Sequence, residues 1–240
     1  MPIVAGIDGT GPGDNSDYER DFNPDPSRGK LGSFVYRLCK RDGRFYKRGP
    51  NAVGYGLSAA VSEGVNFVVS QRRARPNEPI LLTGYSRGAA GAVVMAKRLK
   101  EMNIPVRALM LFDCVDRQIN MDASVIPNNV GFVQHVIRNP AARSRMSFGN
   151  DGMRYSPPTV FPTAYQFMCT HGGMGGTPWD VPDGSSPNDY VDEGYGEGAL
   201  NWGLVGGIFY KTRVTYAQDA RVSAQVWDFV NPFLREHGYL

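Results

Sequence analysis

The chain has 240 residues, 42% of them apolar and 20% charged, so it is one domain's worth of protein with enough apolar side chains to bury a core. No apolar run approaches the roughly 20 residues that a membrane-spanning helix needs, and no basic stretch followed by a long apolar one opens the chain, so a cytoplasmic protein is expected. A net charge of +3 is too small to argue for a nucleic-acid partner, and three scattered cysteines, Cys39, Cys114 and Cys169, make neither a disulfide framework nor a zinc site.

Residues 2–7 are a short run rich in Ile and Val that stops at Asp8-Gly9-Thr10-Gly11, the pattern of a buried strand ending in a glycine-rich turn. Residues 12–33 are dense in Asp, Asn, Pro, Gly and Ser and predict a long surface loop. Val53, Leu57, Val61, Val65 and Val68 recur at steps of three or four, which predicts a helix over 53–73. A second strand is predicted at 80–83 and a second, alanine-rich helix at 87–102. The third strand, 106–112, is apolar enough to be central in a parallel sheet. Two further strands are predicted at 130–137 and 164–169. Residues 172–198 are rich in Gly, Pro, Asp and Ser without periodicity and predict a long loop or lid. Val222, Val226, Phe229, Val230 and Phe233 then mark a closing helix over 219–236. Strands alternating with helices predict a single α/β domain over 1–240, with a mostly parallel central sheet covered by helices on both faces.

The segment richest in chemistry is Gly84-Tyr85-Ser86-Arg87-Gly88. It places G-x-S-x-G between an apolar strand and a helix, the setting of a nucleophile elbow. A serine on so sharp a turn sits in strained φ/ψ, and side chains two residues to either side would collide, hence Gly84 and Gly88. The backbone N–H of Arg87, at the start of the following helix, would be one oxyanion-hole donor. The turn after the first strand would supply the second, from Gly9 or Thr10. A phosphatase reading of that turn, D-x-D-G-T, fails because Gly6 stands where the nucleophilic Asp is required.

A serine needs a base, and there are three histidines. His237 ends the last helix and reads as a solvated charge partner. His135 lies inside an apolar strand and reads as a core histidine, with a role as base the alternative. His171 follows a strand directly and precedes the final helix, which fits the chain order Ser…Asp…His. For the acid, Asp113 ends the strand next after the nucleophile's helix and would reach the same crevice. Asp116 is its rival, and Asp180 and Asp183 are weaker candidates. No cofactor or metal is called for. The run Asp21-Phe22-Asn23-Pro24-Asp25 imitates a calcium loop but has Pro26 and Gly32 where glycine and glutamate are needed.

With these motifs in order, the chain resembles the α/β-hydrolase family that includes the catalytic domains of type VI secretion phospholipase effectors. The matching stretches are Asp8-Gly9-Thr10-Gly11, Gly54-Tyr55-Gly56-Leu57, Gly84-Tyr85-Ser86-Arg87-Gly88-Ala89, Phe112-Asp113-Cys114-Val115, His135 with Arg138 after it, and His171 with its glycines. The resemblance implies a serine esterase, lipase or phospholipase with Ser86, His171 and Asp113 as its triad. It also implies a small-molecule ester or lipid substrate, and allows non-classical export as an effector. The chain differs from that family in following its histidine with Gly172-Gly173-Met174 and in having no large membrane-anchoring insertion. The competing class is a binding or scaffold module that keeps the fold without the chemistry.

Between Arg28 and Arg48 stand eight Lys or Arg against one acid, Asp42, with aromatic residues between them. One reading is peripheral contact with an anionic membrane surface. The other is a solvated face beside the mouth of the site. Residues 178–197 carry six acids and no Lys or Arg, so the two segments are expected to face each other across the cleft.

Overall fold

The computed structural model describes residues 1–115, 121–193 and 211–240. In chain order the elements are β1 (Ile3–Ile7), α1 (Asn15–Phe22), β2 (Pro24–Asp25), β3 (Lys30–Leu31), α2 (Phe34–Cys39), β4 (Phe45–Lys47), α3 (Leu57–Ala74), β5 (Ile80–Tyr85), α4 (Arg87–Glu101), β6 (Val106–Phe112), β7 (Val125–Ile126) and β8 (Val130–Arg138). They continue with β9 (Arg154–Tyr155), β10 (Ala164–Phe167), α5 (His171–Met174), β11 (Tyr190–Asp192), β12 (Lys211–Thr215) and α6 (Tyr216–His237).

Six strands form one sheet in the order β10-β8-β6-β5-β1-β4, and every pairing in it is parallel. Parallel neighbours need crossovers, and helices supply them on both faces. The period-2 alternation along each strand divides the core accordingly. Ile3, Ala5 and Ile7 of β1, with Leu109 and Leu111 of β6, pack under α3 and α4. Val4, Leu81, Met110 and Phe112 face the other way, against Phe34, Val35 and Leu38 of α2 and Val222, Val226, Val230 and Leu234 of α6. This is an α/β-hydrolase fold. Because all six strands point the same way, the residues that follow β1, β5, β6, β8 and β10 emerge along one rim, where such sheets place their sites.

Several elements depart from the sequence expectation. The predicted loop 12–33 contains α1, whose N-cap Asp14 accepts from the backbone N–H groups of Ser16 and Asp17. Tyr18 and Phe22, one turn apart, stack at 4.2 Å and bury the helix against the first strand's turn. The basic segment 28–48 folds into α2 and β4. Arg37 lies 3.6 Å over the Trp227 ring, Arg44 Nη1 donates to the carbonyls of Leu38 and Tyr239, Lys47 pairs with Glu63, and Arg48 covers Tyr18. Lys40 and Arg41 are exposed. They lie between the end of α2 and the start of β4, at the rim opposite the one that follows β5. His237, expected to be solvated, is buried between Phe132 and Phe233. Among the described residues, no helix is long and apolar enough to cross a membrane.

Candidate active site

Ser86 sits between β5 and α4 with φ 58° and ψ −128°, a left-handed conformation that a serine adopts only when its surroundings impose it. The two glycines explain how the turn closes. A Cβ on Gly84 would stand 2.4 Å from the carbonyl oxygen of Gly88, and one on Gly88 would stand 2.2 Å from those of Ile7 and Asp8. The tight turn leaves the Ser86 hydroxyl clear of its own helix, with no side-chain capping bond, and aims it along the rim.

His171 meets it there. Its Nε2 lies 2.8 Å from Ser86 Oγ, and its Nδ1 lies 2.6 Å from Asp113 Oδ2. These three residues, 85 and 58 positions apart along the chain, are buried together at the carboxyl ends of β5 and β6 and the start of α5. Asp113 has a positive φ of 45°, which turns its carboxylate back over the rim. It accepts four hydrogen bonds: His171 Nδ1 and Arg138 Nη1 on Oδ2, the Arg138 backbone N–H and Asn150 Nδ2 on Oδ1. Burial disfavours its charge, but the Arg138 guanidinium, with the His171 hydrogen bond, outweighs that and holds the carboxyl well below the usual carboxylate range. Burial lowers the pKa of His171, against the pull of Asp113 and with the help of Arg138 and Arg145, so the imidazole is neutral at neutral pH. A neutral ring whose Nδ1–H is held by a carboxylate presents its Nε2 lone pair to the serine hydroxyl.

His171 opens the short helix α5 rather than a flexible turn, and its backbone is fastened on both sides. Its N–H donates to Ser144 Oγ at 2.7 Å, its carbonyl accepts from Tyr85 OH at 2.8 Å, and Phe148 packs edge-on at 5.3 Å. Just before it, Thr170 caps α5, and both its backbone N–H and its hydroxyl donate to the buried carboxylate of Asp219 on α6. The same carboxylate accepts from the N–H of Trp179, tying the start of the 172–198 segment to α6. Residues 194–198 of that predicted loop lie outside the described residues.

The remaining sequence candidates separate clearly. His135 Nε2 accepts the Cys114 backbone N–H, which commits that ring to the turn beneath Asp113. Asp116 lies outside the described residues. Asp180 pairs with Arg28 and with Lys30, the latter at 2.9 Å, so the acidic segment meets the basic one through this residue. Asp183 is exposed. Of the two oxyanion candidates after β1, Gly9 donates its N–H to Asp8 Oδ1 at 2.9 Å and is committed within its own turn. Thr10 lines the cleft beside Ser86 and Arg87. Asp8 itself is fully buried, with Ser33 and Tyr46 hydroxyls on Oδ2, and burial pushes its carboxyl up to about 6. Arg138, Asn150, Ser144 and Asp219 carried no assigned role in the sequence. A lone arginine closing the otherwise apolar end of β8 was the one visible signal.

In front of Ser86 lies a cleft of about 700 Å³. Its walls include Phe22, Val115, Phe148 and Trp179, with Arg145 and Glu193 at one side. Such a mostly apolar cavity with a few convergent polar groups suits a small organic ligand. Among the described residues, no group of three or more His, Cys, Asp or Glu is placed to hold a metal ion.

No family model matches the chain, and no curated protein matches it. Among solved structures, an acetyl xylan esterase in an iodinated complex is similar to it at a TM-score of 0.27 and 11% identity, over 94% of this chain and 98% of that one. So distant a likeness says nothing about the chemistry at Ser86.

Proposed function

We propose that the protein is a serine hydrolase that cleaves an acyl ester through a covalent acyl-enzyme intermediate. The observation that carries the reading is the pair of contacts from one imidazole, 2.8 Å to the Ser86 hydroxyl and 2.6 Å to the Asp113 carboxylate. Ser86 Oγ attacks the ester carbonyl carbon while His171 Nε2 takes its proton. Negative charge gathers on the carbonyl oxygen, which the N–H groups of Arg87 and Thr10 receive. The imidazolium, stabilised by Asp113, then returns the proton to the departing alcohol and leaves Ser86 acylated. Water enters, gives a proton to His171 and attacks the acyl carbon; the bond to Ser86 Oγ then breaks, His171 returns the proton to that oxygen, and the acid leaves with Ser86 restored. No cofactor enters these steps.

The substrate is a small-molecule ester or lipid whose acyl group fits among Phe22, Val115, Phe148 and Trp179. A relation to the type VI phospholipase effectors belongs to the same proposal and rests on the Gly84–Ala89 motif and the order of the matching stretches. For the segment 28–48, an anionic surface touching Lys40 and Arg41 would lie at the rim opposite Ser86 and would not present its lipids to the cleft. A panel of p-nitrophenyl esters of increasing chain length, with phospholipids alongside, tests the reading. Hydrolysis by the wild type and none by a folded Ser86→Ala variant is expected. An inactive wild type across the panel would favour a binding module instead.

A further inference from the structure

A fully buried carboxylate needs its charge matched, and an imidazole that is neutral in the resting state cannot match it. Arg138 does. Its Nη1 reaches Asp113 Oδ2 at 2.8 Å, the same oxygen that accepts from His171, and both side chains are almost wholly buried. The rest of the fork points elsewhere. Nε donates to the Ser144 carbonyl at 2.9 Å, and Nη2 donates to the carbonyls of Arg145 at 3.0 Å and Gly149 at 2.9 Å. One guanidinium therefore holds the acid with one nitrogen and gathers the 144–149 loop with the other two. That loop carries Ser144, which binds the His171 backbone, and Phe148, which packs on the imidazole.

We infer that Arg138 is a positioning residue for proton transfer at Ser86, orienting Asp113 against His171 and offsetting the carboxylate charge that the imidazole would otherwise meet in full. An unopposed carboxylate beside an imidazole favours the imidazolium, and a cation on the same oxygen weakens that preference. The charged groups around the ring agree with this balance. Among the described residues, Asp113 and, behind Ser144, Glu193 are the nearby anions, Arg138 and Arg145 the cations, and Asp219 lies beneath Thr170. Removing Arg138 leaves Arg145, itself facing Glu193, as the remaining cation among the described residues on this side. The imidazole then holds its proton to higher pH, where it can no longer act as a base.

The inference rests on the ester-cleaving reading for its kinetic part only, and two variants separate charge from geometry. Arg138→Gln removes the charge, and Arg138→Lys keeps it but cannot hold Asp113 and the loop together. The readouts are the Cε1–H titration and the downfield Nδ1–H resonance of His171 by NMR, with kcat and KM on a p-nitrophenyl ester. In Arg138→Gln the midpoint of His171 and the acid limb of kcat/KM should both rise by about one pH unit. In Arg138→Lys the midpoint should stay at its wild-type position, the Nδ1–H resonance should move upfield, and kcat should fall by about tenfold or more with KM little changed. A folded glutamine variant with the wild-type midpoint overturns the electrostatic role. A lysine variant with wild-type kcat and an unmoved Nδ1–H resonance overturns the positioning role, and decides alone if the glutamine variant does not fold. A wild type without esterase activity would sink the ester reading, while the NMR measurements would still judge Arg138.

Discussion

Replacing Asp113 by asparagine takes one acceptor oxygen from a group on which four donors converge: His171 Nδ1, Arg138 Nη1, the Arg138 backbone N–H and Asn150 Nδ2. Whichever way the amide is turned, its own NH2 faces two of them. Arg138, 5% exposed, also loses its anionic partner. An uncompensated buried charge costs about 3–5 kcal/mol, and each orphaned donor about 1–3 kcal/mol; the two overlap at Arg138, so a loss of at least about 3 kcal/mol is expected. Chemistry suffers separately. An amide NH2 turned toward Nδ1 stabilises the tautomer whose proton is on Nε2, so the ring offers Ser86 a donor in place of a base. In serine proteases that exchange lowers kcat by about 10⁴-fold. Urea unfolding followed by circular dichroism gives the first quantity, and ester hydrolysis by the folded variant at neutral pH gives the second. A kcat within tenfold of wild type would show that Asp113 does not orient the imidazole. A stability loss under about 1 kcal/mol would contradict the count of four donors.

Gly88→Ala puts a methyl group 2.2 Å from two backbone oxygens, so the first turn of α4 must move and take Ser86 with it. The expected result is a folded protein, less stable by about 1–3 kcal/mol, with kcat lowered by about 10²-fold. Gly13→Ala, where nothing lies within 4 Å, is the control, and equal activity in the two variants would refute the argument. Asp8→Asn tests a buried carboxyl that no cation among the described residues pairs. Its folded pKa of about 6 against an ordinary 3.8 means that it stabilises the fold fully below pH 3.8 and loses that contribution as pH rises through 6, about 3 kcal/mol in all. Asp113 has the opposite sign, losing its contribution only as pH falls below the ordinary carboxylate range, so the two windows do not coincide. The stability of the wild type relative to Asp8→Asn should therefore fall between pH 4 and pH 7, as read by urea midpoints at each pH. Parallel stability curves would contradict it.

The central strands were legible because burial on both faces writes itself as an unbroken apolar run, as in Ala108–Phe112 of β6. Ser86 was legible for a different reason: its backbone conformation excludes side chains at 84 and 88, and that exclusion is a local pattern. What escaped was structure whose cause is distant in the chain. The helix α1 hides in a polar run because two aromatic side chains, Tyr18 and Phe22, provide its buried face. The cations of α2 and β4 looked like solvent-facing charge, yet the Arg37 guanidinium covers Trp227, nearly two hundred positions later. Gly9 and Thr10 were equivalent as letters, and only the Asp8 carboxylate's hold on the Gly9 N–H distinguishes them. Likewise Asp219 acts through a hydrogen bond to the Thr170 backbone nearly fifty positions away, which leaves no mark on spacing or composition, and Arg138 joins Asp113, 25 positions earlier, to a loop that follows it.

Fluorophosphonate labelling tests the nucleophile most directly, because the reagent reports an activated serine without knowledge of the substrate. Intact-mass and peptide analysis of the labelled wild type should show a single adduct on Ser86, absent from Ser86→Ala and much slower to form in His171→Ala. A folded wild type that takes no label, or an adduct that persists in Ser86→Ala, would contradict the assignment.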